Sequence, residues 1–257
     1  MTTSLFDVLL RPLSRSRALA GALSLLALSP LCQADEAQGV LPRVSRYVDL
    51  NHEIATDMQT YPGLSMAKFS EFMPRFPNSA LIDQAALLGI TGTYIDAPFH
   101  EDPQGAKIGD YSLEKLVNLP AVVVTKPASR LTFEVEDFKG LDVDGKAVLL
   151  FSGHDRKFGT PAYAVDVPYL SVPAAKWLVD HKAAFVGIDT QLIDNFATAE
   201  KAIPVHHELL THGVVICEDM TNLGALPKTG AYLTAVPPRV PMTSFPARVF
   251  ATIFAPR

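Results

Sequence analysis

The densest cluster of residues that can do chemistry is the segment 91–100, which reads Thr-Gly-Thr-Tyr-Ile-Asp-Ala-Pro-Phe-His. Gly92 and Pro98 indicate an irregular backbone, where a rigid loop can hold side chains in fixed positions. Asp96 and His100 place a carboxylate and an imidazole four residues apart, so one can bind a metal while the other moves a proton. An aspartate beside a proline-containing turn is also a common turn former, and this alternative stays open.

A second cluster combines an imidazole, His206, with a carboxylate, Glu218, twelve residues further along. His206 lies in a predicted helix and Glu218 follows a predicted strand. If the helix and the strand pack antiparallel, the two side chains can meet at one edge of a sheet. On spacing alone, a surface histidine and a surface glutamate are the favoured explanation, and this alternative stays open.

The elements that must position these side chains form a mixed pattern. Six short apolar runs predict buried strands: 47–50, 121–125, 147–151, 184–188, 214–217 and 248–253. A helix capped by Ser171, with Pro173 in its first turn, and a shorter helix over 205–211 that ends at Gly213 lie between some of them. The pattern predicts the α/β class, a single mixed sheet with helices, without fixing the strand order.

Taken together, the two clusters resemble the cyclase family of metal-dependent hydrolases, which includes kynurenine formamidases and isatin hydrolases. That family carries the signature His-x-Gly-Thr-His-x-Asp-x-Pro-x-His, followed by a His and a Glu twelve residues apart. His206 precedes the pair Leu209-Leu210 by three residues, as in the family, and 91–100 follows most of the signature. The resemblance implies a cyclase-like swivelling β/β/α fold over one hydrolase domain at 45–257.

The chain departs from the family at the first two histidines of the signature, where it has Ile90 and Tyr94. The resemblance implies that Asp96, His206 and Glu218 are the remaining metal ligands and that His100 is the catalytic proton-transfer residue. Isoleucine has no ligand atom, and a tyrosine ligates only as phenolate, although its ordinary pKa is about 10. We therefore expect one divalent ion, zinc or manganese, with Tyr94 as a neutral hydrogen-bonding group.

The activity that this resemblance implies is hydrolysis of a small N-formyl or cyclic amide, as in an arylformamidase of tryptophan catabolism. A lactone hydrolase is an open alternative. Loss of two ligands also leaves open a non-catalytic periplasmic protein that binds a small molecule on the same fold. The resemblance further implies a homo-oligomer.

Composition and the N-terminal segment indicate which partners the protein can have and where in the cell it acts. The formal charge is −5 and no basic run lies in 45–257, so a nucleic-acid partner is not expected. Three arginines followed by an apolar run predict a signal peptide over 1–34, cleaved after Ala34, with an exposed leader at 35–44. The mature chain is then periplasmic or secreted, has no membrane segment, and keeps only Cys217, which cannot form an intramolecular disulfide.

Two further histidines carry open alternatives. His207 neighbours His206 and can replace it as the ligand, although adjacent helical residues point about 100° apart and only one can face the site. His52 follows an early strand, where it either lines a pocket or packs as an ordinary half-buried residue.

Overall fold

The structure, a computed structural model, describes residues 42–58, 61–73 and 80–256. The strands are β1 (Val44–Asp49), β2 (Lys68–Met73), β3 (Ile82–Ala86), β4 (Tyr94–Asp96), β5 (Leu119–Thr125), β6 (Thr132–Phe133), β7 (Ala147–Phe151), β8 (Tyr169–Leu170), β9 (Phe185–Ile188), β10 (Val215–Glu218), β11 (Thr229–Val236), β12 (Ser244–Pro246) and β13 (Arg248–Phe254). The helices are α1 (Val135–Phe138), α2 (Val172–Asp180) and α3 (Pro204–Thr211). Short 3₁₀ turns link several elements, among them Pro98–His100 directly after β4.

Nine of these strands form one mixed sheet, in the order β1-β13-β11-β5-β7-β9-β10-β4-β12. Its centre is parallel, because β5, β7, β9 and β10 run in the same direction. Antiparallel strands flank this centre on both sides. The predicted α/β class with a mixed sheet and helices is therefore confirmed.

The central strands are apolar along their whole length because both faces of the sheet are covered. Successive side chains alternate between the faces and feed two separate cores. Leu149 and Cys217 belong to one core. Leu150 and Ile216 belong to the other, which also contains the buried side chains of α2 and α3. Cys217 is thus a buried free thiol on the face away from the helices.

Both predicted helices are present: α2 begins after Ser171 as predicted, and α3 begins at Pro204, one residue before its predicted start. The Ser171 hydroxyl accepts the backbone N–H of Ala174 at 3.3 Å and caps α2, with proline in the first turn. After α3 the chain reverses through Gly213, whose φ of +76° lies in the left-handed region that glycine tolerates. This turn directs the chain from α3 straight into β10.

All six predicted strands are present, each shifted by no more than a few residues at its ends. The first begins at Val44, one residue before the predicted start of the domain. The predicted signal peptide and most of the predicted leader lie outside the described residues. Among the described helices, none is long and apolar enough to cross a membrane.

Candidate metal centre

The register of three neighbouring strands collects polar side chains on one face of the sheet. In the antiparallel pairing of β10 with β4, Glu218 lies opposite Tyr94 and Ile216 opposite Asp96. β12 continues the row, with Ser244 opposite Asp96. Directly paired residues of a sheet point to the same face. All five side chains therefore point to the face on which Ile216 packs in the core that contains the α3 side chains.

Helix α3 brings His206 onto this polar group. Its Nε2 lies 3.7 Å from Asp96 Oδ2 and 3.5 Å from Glu218 Oε1. One ligand atom from each of these three residues lies within 4.8 Å of the others, and all three residues are buried. Two ligand atoms at about 2.1 Å from a tetrahedral ion are about 3.4 Å apart. The separations of 3.7 and 3.5 Å match that value closely.

Asp194 fixes the orientation of the His206 ring. Its carboxylate lies 2.7 Å from His206 Nδ1 and also accepts the backbone N–H groups of Val205 and His206 at the start of α3. Because a carboxylate can only accept these bonds, Nδ1 carries the proton. Nε2 then points at Asp96 and Glu218, where its lone pair is available to a metal ion that displaces a proton. This carboxylate–histidine pair is the arrangement that supports metal-bound histidines.

Hydrogen-bond donors hold both carboxylates, but one oxygen of Asp96 has no donor. Asp96 Oδ1 accepts the Ser244 hydroxyl at 2.5 Å, and Glu218 Oε1 accepts the backbone N–H of Ile193 at 2.5 Å. Asp96 Oδ2 is buried, and no described residue donates a hydrogen bond to it. A buried carboxylate oxygen without a donor is costly, and a cation at this point removes the cost.

The charges of the site also favour a cation. Burial raises the pKa of Glu218 to about 8, with His206 lowering it and Asp96 raising it again. Burial lowers the pKa of His206, but Glu218, Asp194 and Asp96 outweigh burial and hold that pKa well above its ordinary value. Buried carboxylates this close need positive charge to stay ionised. The donor set, its spacing and its charge therefore fit one divalent ion.

Tyr94 completes the surroundings of Glu218. Its hydroxyl donates a hydrogen bond to Glu218 Oε2. Burial, together with the charges of Glu218, Asp96 and Asp219, raises the pKa of Tyr94 well above its ordinary value. The phenol stays neutral and acts as a donor, in agreement with the interpretation from sequence. Ile90, at the other departure from the signature, is half-buried and offers no ligand atom.

His100 lies at the open side of the centre. It ends the 3₁₀ turn Pro98–His100 and is exposed. Its ring centroid is 5.6 Å from that of His206. His207 points elsewhere, with its side chain 66% exposed and Nδ1 3.7 Å from Glu101 Oε2. Of the two adjacent histidines, the structure therefore brings His206 to the site, and the alternative with His207 is wrong.

The chain was compared with known protein families, and the model of the cyclase family matches residues 48–195. The chain belongs to the cyclase family. The match contains 91–100 and Asp194 but ends before α3 and β10. His206 and Glu218 are therefore placed at the site by the geometry rather than by the family match.

Individual proteins that are similar to this cyclase-family chain are named as hydrolases or formamidases. A kynurenine formamidase of Bacillus cereus is 26% identical over 180 residues, covering 69% of this chain and 83% of the relative. Isatin hydrolase A from Ralstonia solanacearum has a TM-score of 0.71 at 20% identity, covering 81% of this chain and 92% of the other. A potential metal-dependent hydrolase with cyclase activity has a TM-score of 0.70 at 24% identity, covering 82% and 99%. The two structural likenesses show that the fold is shared.

Three contributors to the centre were not predicted from sequence. Asp194 is given no role by the sequence pattern, although it lies only twelve residues before His206. Ser244 is 148 residues from Asp96 in the chain and is brought there by β12. The Tyr111 hydroxyl donates to the Asp96 carbonyl at 2.9 Å. For Ser244 and Tyr111, no spacing in the sequence signals the contact.

The substitution Asp194→Asn tests whether the Asp194 carboxylate supports His206 as a metal ligand. The asparagine accepts fewer of the three hydrogen bonds and no longer fixes the His206 ring. We expect the affinity for Mn²⁺ or Zn²⁺ to fall about 10- to 100-fold, as for other partners of metal-bound histidines. Calorimetric titration of metal-free protein measures the change. Asp180→Asn, an exposed change on α2, is the matched control, and equal affinities in both variants would refute the role.

Proposed function

We propose that the chain is an arylformamidase-like hydrolase that cleaves small N-formyl or cyclic amides with the help of a divalent metal. The observation that carries the proposal is the buried convergence of Asp96, His206 and Glu218 within 4.8 Å. The names of the relatives, kynurenine formamidase and isatin hydrolase, support the substrate class. Membership of the cyclase family supports hydrolysis of a carbon–nitrogen bond other than a peptide bond.

We propose a single zinc or manganese ion as the cofactor. Two carboxylates and one imidazole form a harder ligand set than most zinc sites, so manganese competes with zinc. When bound, such an ion polarises a carbonyl group and makes water a stronger nucleophile. Ile90 and Tyr94 argue against a second ion, because the first has no ligand atom and the second is a neutral donor to Glu218.

The protein's own groups position the reaction. Asp194 and Ser244 hold His206 and Asp96 in place before substrate arrives, so that little reorganisation accompanies the chemistry. His100 takes a proton from the attacking water and delivers it to the leaving nitrogen, a role suited to an imidazole near neutral pH. His100 is exposed beside the buried ligands, with its ring centroid 5.6 Å from that of His206, so a substrate that enters from solvent can reach both groups.

An aromatic pair supports an aryl substrate. The ring centroids of Tyr61 and Phe196 are 5.4 Å apart. Burial, followed by the charges of Glu200 and Glu218, raises the pKa of Tyr61, which means that its hydroxyl lies within electrostatic reach of the metal centre. A planar ring bound near Glu218 would find an aromatic surface there.

The rival function is a small-molecule binding protein without catalysis. The loss of two signature histidines at Ile90 and Tyr94 favours it. The pairing of Asp194 with His206 and the donors to Asp96 and Glu218 favour the hydrolase, because a binding pocket has no need for them.

Turnover decides between the two functions. Metal-loaded protein with added Mn²⁺ or Zn²⁺ should hydrolyse N-formylkynurenine or isatin, and His100→Ala should lower kcat about 10²-fold, the range for general acid–base catalysis. His207→Ala, an exposed neighbour of the ligand, should leave kcat unchanged. Binding of both compounds without hydrolysis would support the rival. Equal turnover in the two variants would remove His100 from the mechanism.

Metal stoichiometry tests the single ion. Mature protein purified without chelator should contain about one equivalent of metal by elemental analysis. The double variant Ile90→His/Tyr94→His restores both signature histidines, and we expect its content to rise toward two equivalents because each added imidazole supplies a ligand atom. Tyr94→Phe, which adds no ligand atom, is the control. Two equivalents in the unaltered protein would contradict the single-ion site.

We propose that the mature chain acts in the periplasm or outside the cell, as a homo-oligomer. The location is supported by the N-terminal pattern of arginines and apolar residues. Assembly is supported by β2 and β3, which pair only with each other in the described structure and whose residues are all exposed. A two-stranded sheet is marginal by itself. Phe69, Phe72 and Ile82 on these strands are exposed apolar side chains, which contact with another copy of the chain would remove from water.

N-terminal sequencing of the exported protein should give Asp35 as the first residue. Light scattering of this mature protein then tests the assembly. We expect the mass of a dimer or a larger oligomer, and a shift toward monomer in Phe72→Glu, because a buried charge would oppose the contact. Leu113→Glu changes another exposed apolar residue and is the control. A monomeric unaltered protein would contradict the proposal.

A further inference from the structure

Buried polar atoms without a hydrogen-bond partner concentrate around the metal centre. In the part of the chain that the structure describes they are His52 Nε2, Thr91 Oγ1, Asp96 Oδ2 and Gln191 Nε2. Thr91 and Asp96 belong to the signature segment, and Gln191 lies two residues before Ile193, the backbone donor to Glu218. A bound cation accounts for Asp96. His52 belongs to an element that the proposed mechanism does not use, so its unpaired nitrogen needs a separate explanation.

The backbone of His52 is tied to both strands that carry the carboxylate ligands. Its N–H donates to Thr93 Oγ1 at 3.0 Å, and the Thr93 hydroxyl donates to the Asp219 carbonyl at 2.5 Å. Thr93 directly precedes β4, and Asp219 directly follows β10. The preceding residue, Asn51, pairs with Met220 in an isolated bridge. His52 is therefore fixed beside the edge of the sheet where Glu218 lies.

Stacking fixes the ring of His52. It lies parallel to Phe158, with centroids 3.6 Å apart and an interplanar angle of 3°. Phe158 in turn meets Tyr163 edge to face at 5.3 Å, and the Tyr163 hydroxyl donates to Asp219 Oδ1 at 2.6 Å. This series of rings ends on the residue next to Glu218. The imidazole is thus held rigidly at the end of the sheet where β4 begins and β10 ends, the two strands that carry Asp96 and Glu218.

The loop that supplies Phe158 is itself anchored. Asp189, at the end of β9, accepts the hydroxyl and the backbone N–H of Ser152 and the backbone N–H of Gly153. Asp155 in the same loop accepts the Thr221 hydroxyl at 2.8 Å. The stack on His52 therefore does not depend on a free surface loop.

His52 is an uncharged group at neutral pH. Burial lowers its pKa to about 4, although the nearby carboxylate of Asp155 acts in the opposite direction. A neutral imidazole has one N–H donor and one acceptor nitrogen. Asp155 gives this side of the site negative charge, which disfavours an anionic ligand group. The partner that suits Nε2 is an uncharged N–H or C=O group.

We propose that His52 is a specificity-determining residue of this site, where Nε2 forms a hydrogen bond with an uncharged N–H or C=O group of a planar aryl amide. The inference rests on the proposed function for its substrate class. It adds His52, which stacks on Phe158, as a group that recognises the substrate. Unlike the charged metal ligands, this group is uncharged. His52 touches no reacting atom in this account.

Binding of oxindole, a planar cyclic aryl amide, to metal-loaded protein tests the inference by calorimetry. His52→Phe keeps the stack and removes the hydrogen bond, so binding should weaken about tenfold. His52→Gln can place an amide nitrogen near Nε2 and should stay within about threefold of the unaltered protein. His181→Phe is the matched control, because His181 also stacks on an aromatic ring, that of Trp177 at 3.7 Å.

Several results would overturn the inference. They are unaltered binding in His52→Phe, an equal loss in His52→Gln, a loss of bound metal in either variant, or no binding of oxindole to the unaltered protein. Hydrolysis of N-formylkynurenine or isatin separates this inference from the proposed function. Normal hydrolysis with binding independent of His52 refutes only the role of His52. Binding that depends on His52 without hydrolysis refutes only the enzymatic proposal.

Discussion

Two buried carboxylates and one buried imidazole, brought within 4.8 Å of one another, are the constraint that organises this structure. Such a group is unstable unless positive charge neutralises it. The antiparallel register of β10 with β4 puts Asp96 and Glu218 on one face. The sharp turn at Gly213 and the bonds of Asp194 to the start of α3 bring His206 against them. The register of the sheet and the position of α3 therefore both serve to bring Asp96, His206 and Glu218 together.

The surroundings explain how a site with fewer ligands than the family signature can persist. Where the signature has a histidine, Tyr94 donates a hydrogen bond to the second oxygen of Glu218. A proton shared between oxygens satisfies that carboxylate without another ion. In the proposed function, His100 on the exposed side carries a proton and the stack of His52 on Phe158 forms a rigid wall. At Tyr94 the chain has a hydrogen bond where the signature has a histidine.

The sequence predicts the parts of the fold whose signals are local. The continuous apolar runs 147–151 and 214–217 predict the buried strands β7 and β10. β4 has only three residues, one of them charged, and its neighbour β12 contains a proline, so neither has a strand signal. The contact between Ser244 and Asp96 depends on those two strands and was invisible. Asp96, His206 and Glu218 were found because a family spacing linked them, while only the register explains why they meet.

Anomalous diffraction from crystals of the mature protein grown with Mn²⁺ tests the central claim most directly. The account predicts one anomalous peak per chain, about 2.2 Å from Asp96 Oδ2, His206 Nε2 and a Glu218 oxygen. A peak bound by other residues, or a well-ordered centre without any peak at saturating Mn²⁺, would contradict it.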